Sequence, residues 1–389
     1  MSLSIRMQIG LAVLGTALSA LGTARAQSPS PNPMTVPAMA GPLAANPHPV
    51  SFDGGPLGNI YVTGAVSGLG LLQSEPFPGD HQSRADFSNG LVSVQNTAGL
   101  VQFFAQAGLY SFPALGAPYL QSWKATGEFF GPVPVAYAKL MPSDAFSVEV
   151  GKLPTLFGAE YGFTFQNMNV ERGLLWNQEP IVSRGIQANY TTGPLAFSAS
   201  LNDGFYSDSY NWLSGTVAWT IDKQNTLALT GGGNFGQTGK NALPKSPYFY
   251  NNSDIVNLIY TYIRAPWTVT PYFQYTHVPG NALLGAPHDN STIGAAILAS
   301  YALSDRVSLA GRAEYIAATG DALSPNLLYG PKSSAMSLTV TPTWQNGIWF
   351  VRGNLSFVQA FGTSAGSAFG RDGAGTTQGR AVIEAGILF

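Results

Sequence analysis

The chain has 389 residues, of which only 10% are charged, whereas soluble domains average about 25%. Aromatic residues reach 12% and glycine occurs 45 times, while the mean hydropathy is close to zero. This combination argues against apolar helices and favours a barrel, and the net charge of -2 argues against binding nucleic acid.

The first 26 residues have the pattern of a secretory signal peptide. Arg6 precedes an apolar run from Ile9 to Leu21, and Ala24-Arg25-Ala26 offers the small residues that signal peptidase reads. The alternative is a membrane anchor, but the run is shorter than the roughly 20 residues that span a bilayer. We therefore expect cleavage after Ala26 and export from the cytoplasm.

Residues 27–57 are rich in proline, alanine, asparagine and serine and have no hydrophobic period. This composition predicts an extended or disordered leader in the periplasm. A short plug that enters a barrel is the less favoured alternative, because nothing in the composition indicates packing.

From residue 58 onwards, apolar and small polar residues alternate in segments of about ten residues, the length of a transmembrane β-strand. In residues 195–202, for example, Leu195 and Phe197 share one face, and Ser198 and Ser200 share the other. A soluble β-sandwich also alternates, so the period alone does not separate the two fold classes.

The connections between these segments do separate the two fold classes, because short and long connections alternate strictly. The short turns lie near residues 96–99, 142–144, 191–193, 222–224, 264–266, 304–305 and 345–347. The long loops lie near residues 73–87, 111–132, 154–180, 204–210, 235–252, 278–290, 318–333 and 361–377. Short periplasmic turns and long external loops are typical of outer-membrane barrels. The sequence therefore predicts an all-β, antiparallel up-and-down transmembrane barrel of about sixteen strands over residues 58–389.

The last predicted strand ends in an aromatic residue. Ile383, Ala385, Ile387 and Phe389 share one parity. This pattern resembles the C-terminal signal that bacterial barrel proteins present to their assembly machinery. In a soluble protein the same strand would be an exposed aggregation hazard, so we expect it to close on the first strand.

Charged residues of the predicted strands share the inward parity. They are Lys139, Glu149, Arg306, Arg312, Glu314, Arg352, Arg380 and Glu384. An arginine or lysine facing lipid would cost roughly 2 to 4 kcal/mol at the midplane, so we predict that all eight line the pore. The arginines concentrate in three of the last four strands. Either they form ion pairs that brace the barrel, or they form a basic face that favours anions.

The third long loop combines charged and aromatic side chains. The candidate constriction residues are Glu160, Glu171, Arg172, Trp176 and Glu179. Aromatic side chains on a solvated loop would forfeit about 25 cal/mol per Å² of buried apolar area, which favours folding against the inner wall. An external cap over the barrel mouth is the alternative.

The run Gly151 to Pro180, GKLPTLFGAEYGFTFQNMNVERGLLWNQEP, and the SRGIQ segment from Ser183 to Gln187 resemble the OmpL-like β-barrel porin family. The resemblance extends from about Leu57 to Phe389. It implies an outer-membrane barrel with porin activity, and no catalytic residues or ligands. In sixteen-stranded porins the third loop narrows the pore, which suggests the same here.

The residues predict no enzyme, cofactor or metal site. The four histidines, His48, His81, His277 and His288, lie in the leader or in or beside loops, without a catalytic or metal-binding motif. We expect a passive channel for small polar solutes, with a substrate-selective channel or a non-conducting adhesive or structural barrel as alternatives. The expected partners are outer-membrane lipid, the barrel assembly machinery and small polar solutes, and we expect either a monomer or a homotrimer.

Overall fold

The computed structural model describes residues 38–239 and 249–389. The predicted signal peptide and residues 27–37 of the predicted leader lie outside this range. No helix within the described range is both long enough and apolar enough to cross a membrane.

The described residues form one antiparallel sheet that closes on itself. Its strands are β1 (Val50–Asp53), β2 (Asn59–Gln73), β3 (Ser83–Asn96), β4 (Val101–Tyr110), β5 (Val135–Ser143), β6 (Phe146–Pro154), β7 (Val182–Thr192), β8 (Leu195–Asn202), β9 (Trp212–Thr220), β10 (Asn225–Asn234), β11 (Asp254–Arg264), β12 (Trp267–Val278), β13 (Asn290–Ala302), β14 (Val307–Ala318), β15 (Ser334–Asn346), β16 (Trp349–Phe361) and β17 (Thr377–Leu388). Consecutive strands from β2 to β17 pair with each other, and β17 pairs with β2. The predicted closed barrel of sixteen strands is therefore confirmed.

Among the described residues, helical structure is confined to short segments in the leader and the loops. The α-helix α1 (Ser122–Glu128) follows β4, and short 3-10 helices occupy Gly55–Leu57, Thr164–Gln166, Leu175–Gln178, Tyr250–Asn252 and Ala282–Leu284. The short connections between strands lie at one end of the barrel, here called the turn end, and the long connections lie at the other, here called the loop end.

The period-two pattern of the sequence separates the two faces of the wall. In β15, Ser337 and Thr339 point inward and are buried, while Leu338 and Val340 point outward and are exposed. Exposed apolar side chains on the outside of a closed sheet match a lipid-facing surface. Near the turn end, Trp267 and Tyr301 pair across β12 and β13 with ring centroids 4.6 Å apart.

The seam of the barrel joins the chain terminus to β2. The backbone amide of Gly64 donates to the Phe389 carbonyl at 2.8 Å, and the Phe389 amide donates back to the Gly64 carbonyl at 3.0 Å. Ile383 and Ala385 lie on the outward face of β17, as the parity indicated, and Ile387 and Phe389 are half-buried. Recognition of this strand by assembly machinery stays a prediction.

Strand β1 continues the row of β17 along the same edge of β2. Leu388 pairs with Ala65, and beyond the terminus Val50 pairs with Val62. The two ends of the described chain therefore act as one interrupted strand beside β2, which leaves less of its edge unpaired.

Gly64 leaves the space that the terminal aromatic ring occupies. A Cβ atom at position 64 would lie 2.3 Å from the Phe389 ring and 2.8 Å from the Leu91 carbonyl oxygen. We expect Gly64→Ala to destabilise the folded barrel by about 1 to 3 kcal/mol, because overpacking forces backbone shifts. Urea unfolding in detergent measures the loss.

Gly68→Ala is the matched control on the same strand, because its added Cβ would meet its nearest neighbour at an ordinary 3.5 Å. Equal unfolding midpoints for the two variants would contradict a steric role for Gly64 at the seam.

Residues 38–57 are the described part of the predicted leader, and they contact the barrel, where Val50–Asp53 pair with β2. Residues 38–44, here called the plug segment, lie inside the barrel at its turn end, and Leu43 is buried. The Gln345 side chain on β15 accepts from the Ala44 amide and donates to the Ala44 carbonyl, both at 2.8 Å. These contacts favour the alternative of a plug that enters the barrel. They join the segment to residues distant in sequence, which its composition did not indicate.

Candidate functional site

The third long loop lies inside the barrel. This segment, residues 155–181, is here called the inner loop, and its residues from Phe163 to Arg172 are all buried. It runs alongside the second long loop, where the Leu115 amide donates to the Arg172 carbonyl at 2.9 Å and the Arg172 amide donates to the Pro113 carbonyl at 3.0 Å. The backbone of one loop thus pairs with the backbone of the other, as buried polar groups require.

Aromatic packing supplies the apolar part of the contact between the inner loop and its surroundings. The Phe163 ring lies 5.5 Å from Tyr110 on β4 and 6.2 Å from Phe165. Trp176 is buried, and its ring lies 6.0 Å from that of Phe112 in the second loop. Phe163, Phe165 and Trp176 are among the loop residues that predicted an inward fold, because exposure of their aromatic rings to water is unfavourable.

Arg352 on β16 fixes the first half of the inner loop. Its guanidinium donates to three loop carbonyls, those of Thr164 at 3.0 Å and of Asn167 and Met168 at 2.8 Å. Glu384 on β17 lies 3.5 Å away and also accepts from the Thr164 hydroxyl at 2.6 Å. A fully buried arginine with this set of acceptors is an anchor for the loop backbone.

Arg312 and Glu314 on β14 fix the second half. Arg312 donates to the Glu160 carboxylate at 2.7 Å, and its guanidinium lies 3.3 Å from the Glu314 carboxylate. Glu160 and Glu314 in turn accept from the backbone amides of Gly173 and Leu174, both at 2.8 Å. Each carboxylate therefore has both a cation and a backbone amide as partners.

A third contact joins the inner loop to β16 and β17. Glu171 accepts from Arg380 at 3.2 Å and from the Asn354 and Ser356 side chains, both at 2.9 Å. Arg380 also donates to the carbonyls of Ala114 and Ala117 in the second loop, both at 2.7 Å. One arginine thus holds both loops against the wall.

Of the two alternatives left open for the arginine-rich sector, this arrangement favours bracing ion pairs over a basic face along the water path. Arg312, Arg352 and Arg380 do point inward, but the inner loop covers them and each is 4% exposed or less. Their charges are in direct contact with glutamates, so water does not separate the two signs. The alternative of bracing ion pairs describes this sector, and Glu314 and Glu384 belong to the same network.

The remaining predicted pore-lining residues lie elsewhere. Lys139 and Glu149 face each other across β5 and β6 with 3.4 Å between charged atoms, and both keep some contact with solvent. Arg306 is exposed in the turn before β14, one residue outside the strand in which the sequence placed it. It borders the cavity at the turn end of the barrel.

Arg172 and Glu179 of the inner loop have fewer polar partners than Glu160 and Glu171 of the same loop. Arg172 is fully buried, with its guanidinium carbon 5.3 Å from the centre of the Trp176 ring and one hydrogen bond to the Val170 carbonyl at 3.3 Å. Glu179 accepts only a 3.5 Å hydrogen bond from Tyr272. Burial, together with the neighbouring Glu160, raises the pKa of Glu179 well above its ordinary value, which favours the uncharged acid.

Two cavities lie on opposite sides of the inner loop. One, at the turn end, has a volume of about 400 Å³ and is bordered by the plug segment, Gly158 and Arg306. The other, at the loop end, has a volume of about 720 Å³ and is bordered by Trp176, Glu179 and Tyr206. The two cavities approach each other at Gly158 and Glu179, because a Cβ at Gly158 would lie 1.8 Å from the Glu179 carboxylate.

A histidine, a serine and an aspartate lie together at the loop end without the geometry of a catalytic triad. His277 Nδ1 is 2.9 Å from Ser291 Oγ and 4.0 Å from Asp289, so both partners meet the same ring nitrogen. A triad needs one partner on each nitrogen. No group of three or more potential metal ligands occurs among residues 38–239 and 249–389.

Sequence reasoning missed the neutral side chains that hold the two inner segments. Asn354 binds Glu171, and Gln345 binds the plug segment. Both residues have the inward parity, which was the only feature of the sequence that indicated a role for them inside the barrel. Amides are common on the inner face of any polar barrel, so parity alone did not distinguish these two.

The comparisons with known proteins agree with this architecture. The family model described as "Putative beta-barrel porin-2, OmpL-like" matches residues 59–389. No curated protein matches the chain in sequence.

Solved structures show the same fold at low sequence identity. A trimer form of OmpT, an outer membrane protein of Vibrio cholerae, is 13% identical, with a TM-score of 0.54 over 85% of this chain and 99% of that one. The outer membrane channel DcaP of Acinetobacter baumannii is 10% identical, with a TM-score of 0.55 over 85% and 97% of the two chains. Salmonella typhi OmpF, in a complex with daunomycin, is 11% identical, with a TM-score of 0.55 over 87% and 100%. The chain belongs to the OmpL-like β-barrel porin family and is an outer-membrane protein.

Proposed function

We propose that the barrel is a non-enzymatic channel through which small polar solutes and ions diffuse passively across the outer membrane. The observation that carries this proposal is the pair of cavities on opposite sides of the inner loop, which approach each other at Gly158 and Glu179. A path between them would run past Glu179, whose carboxylate accepts a hydrogen bond from Tyr272.

Single-channel conductance of the folded chain in planar bilayers tests the proposal. Stable current steps in KCl support it, and a correctly folded barrel that gives none would overturn it in favour of an adhesive or structural role. Liposome swelling with sugars and amino acids of graded size then measures the size limit. In either a monomer or a homotrimer, each barrel would have its own path.

We expect Glu179→Ala to raise the conductance, because it removes the carboxyl group from the point where the cavities meet. Glu179→Gln keeps the size of the side chain and separates bulk from charge, so its conductance should stay near that of the unmodified chain. Current recordings of the three proteins in the same salt check this. A Glu179→Ala channel with unchanged conductance would place the narrowest point elsewhere.

The buried ion pairs also change the expected ion preference. Since the inward arginines are paired with glutamates, they contribute no free basic face to the path. We therefore expect a weak preference between K⁺ and Cl⁻, which the reversal potential in a salt gradient measures. A substrate-selective channel is the second candidate function, and the aromatic lining of the cavity at the loop end favours it.

A further inference from the structure

The cavity at the loop end has a continuous aromatic wall. Its aromatic residues come from the second loop, the inner loop and the loop after β8: Phe112, Phe129, Phe130, Trp176, Phe205 and Tyr206. The Phe112 ring lies 6.0 Å from both Phe130 and Trp176, and Phe130 lies 5.2 Å from Tyr206 in an edge-to-face arrangement. The volume of about 720 Å³ lies within the range of small-molecule sites.

Two cations border the same cavity, but only one of them lacks a carboxylate. Arg184 is 2.8 Å from Asp203 and 3.2 Å from Asp208, so its charge is compensated. Lys152 at the end of β6 donates to the carbonyls of Phe130 at 3.0 Å and Val133 at 2.8 Å. Within the described residues, no ion pair of Lys152 is found. An ammonium with only neutral acceptors keeps a positive charge to offer an anion.

Two of the six aromatic rings, Tyr206 and Trp176, already have cations of the chain itself over their faces. Lys152 and Arg184 lie 5.6 Å and 4.1 Å from the centre of the Tyr206 ring, and Arg172 covers Trp176. A cationic ligand would therefore meet like charges at these rings. An anionic ligand with an aromatic ring would instead find apolar surface for the ring and Lys152 for its charge.

Glu179 forms part of the floor of the cavity, beside Trp176. One of its carboxyl oxygens is buried and has no hydrogen-bond partner. Because burial favours the protonated acid, this group repels an anion in the cavity less than a charged carboxylate would.

We propose that this cavity binds small aromatic carboxylates on their way into the channel. The proposal rests on the proposed channel function only for the statement that the ligand continues inward. The ring packs against the aromatic wall, and the carboxylate lies near the ammonium of Lys152. Such a site would make the channel selective for this class of solute while inorganic ions still pass.

Benzoate is the probe, with cyclohexanecarboxylate and benzyl alcohol as comparison compounds. Cyclohexanecarboxylate has the same charge without the aromatic ring, and benzyl alcohol has the ring without the charge. Isothermal titration calorimetry on the folded chain in detergent should show benzoate binding about tenfold more tightly than either. In planar bilayers, benzoate added on the loop side should reduce the KCl current over the same concentration range.

Two variants test the roles of charge and ring. Phe129→Leu removes a ring that is 40% exposed and should lower the preference for benzoate over cyclohexanecarboxylate. Lys152→Met should weaken both carboxylates about equally. Lys124→Met is the control, because Lys124 lies on α1 over the Trp123 ring and outside the cavity lining. A heat-modifiable band in gel electrophoresis shows that each variant is folded.

The outcomes separate this inference from the channel proposal. Folded protein that conducts KCl but binds the three compounds equally overturns the aromatic carboxylate site and leaves the channel function intact. Protein that binds benzoate selectively but gives no current supports the site and overturns the channel. An effect of Lys124→Met as large as that of Lys152→Met would also overturn the site.

Discussion

Replacing Arg352 with methionine is expected to release the inner loop from the barrel wall. The substitution removes the donor to three buried carbonyls and the cation beside Glu384. Leaving one member of a buried ion pair without its partner typically costs about 3 to 5 kcal/mol. We expect a lower unfolding midpoint in urea, together with larger and noisier single-channel currents as the loop moves in the lumen.

Arg306→Met is the matched control for this prediction. Arg306 is also an inward-predicted arginine, but it is exposed in a turn, where the loss of a charge costs little. Its unfolding midpoint and current noise should stay close to those of the unmodified chain. If Arg352→Met behaved in the same way, the ion-pair network would not be what holds the inner loop.

Replacing Leu43 with aspartate is expected to expel the plug segment from the lumen. Burial of a leucine side chain stabilises by about 1.5 to 3 kcal/mol, and this term would be lost. A buried carboxylate without a partner costs several kcal/mol more. The hydrogen bonds between Ala44 and Gln345 contribute only about 1 kcal/mol each, which does not offset the change. We expect a higher conductance, measured in planar bilayers.

Ala45→Asp introduces the same charge two residues later, at an exposed position. It should leave the conductance unchanged. If the Leu43→Asp channel conducted no better than this control, then the plug segment would not obstruct the path in solution.

The barrel could be predicted from the sequence because its information is local. From Met336 to Trp344 in β15, the apolar residues face outward and the small polar residues face inward, and the turn after Asn346 is short. Strand length, parity and turn length are all properties of a few neighbouring residues. The aromatic residues of the inner loop likewise predicted its inward position, because exposure of their rings to water is unfavourable.

The partners of the charged residues could not be predicted, because they are distant in sequence. Arg352 binds backbone carbonyls of residues more than 180 positions away, and Ala44 binds a side chain 301 positions away. Parity placed Arg312 and Arg352 inside, but parity does not show what covers them. A water-filled lumen and a loop-filled lumen require the same alternation in the wall.

The interrupted strand at the seam has a consequence for the order in which the molecule matures. Four residue pairs hold β1 to β2, and a pairing this short has little stability by itself. The position of β1 beside β2 is complete only after the terminal strand β17 has paired with the same edge of β2. The N-terminal segment should therefore settle last, so that a newly inserted cylinder passes through an interval in which its turn-end mouth is still unobstructed.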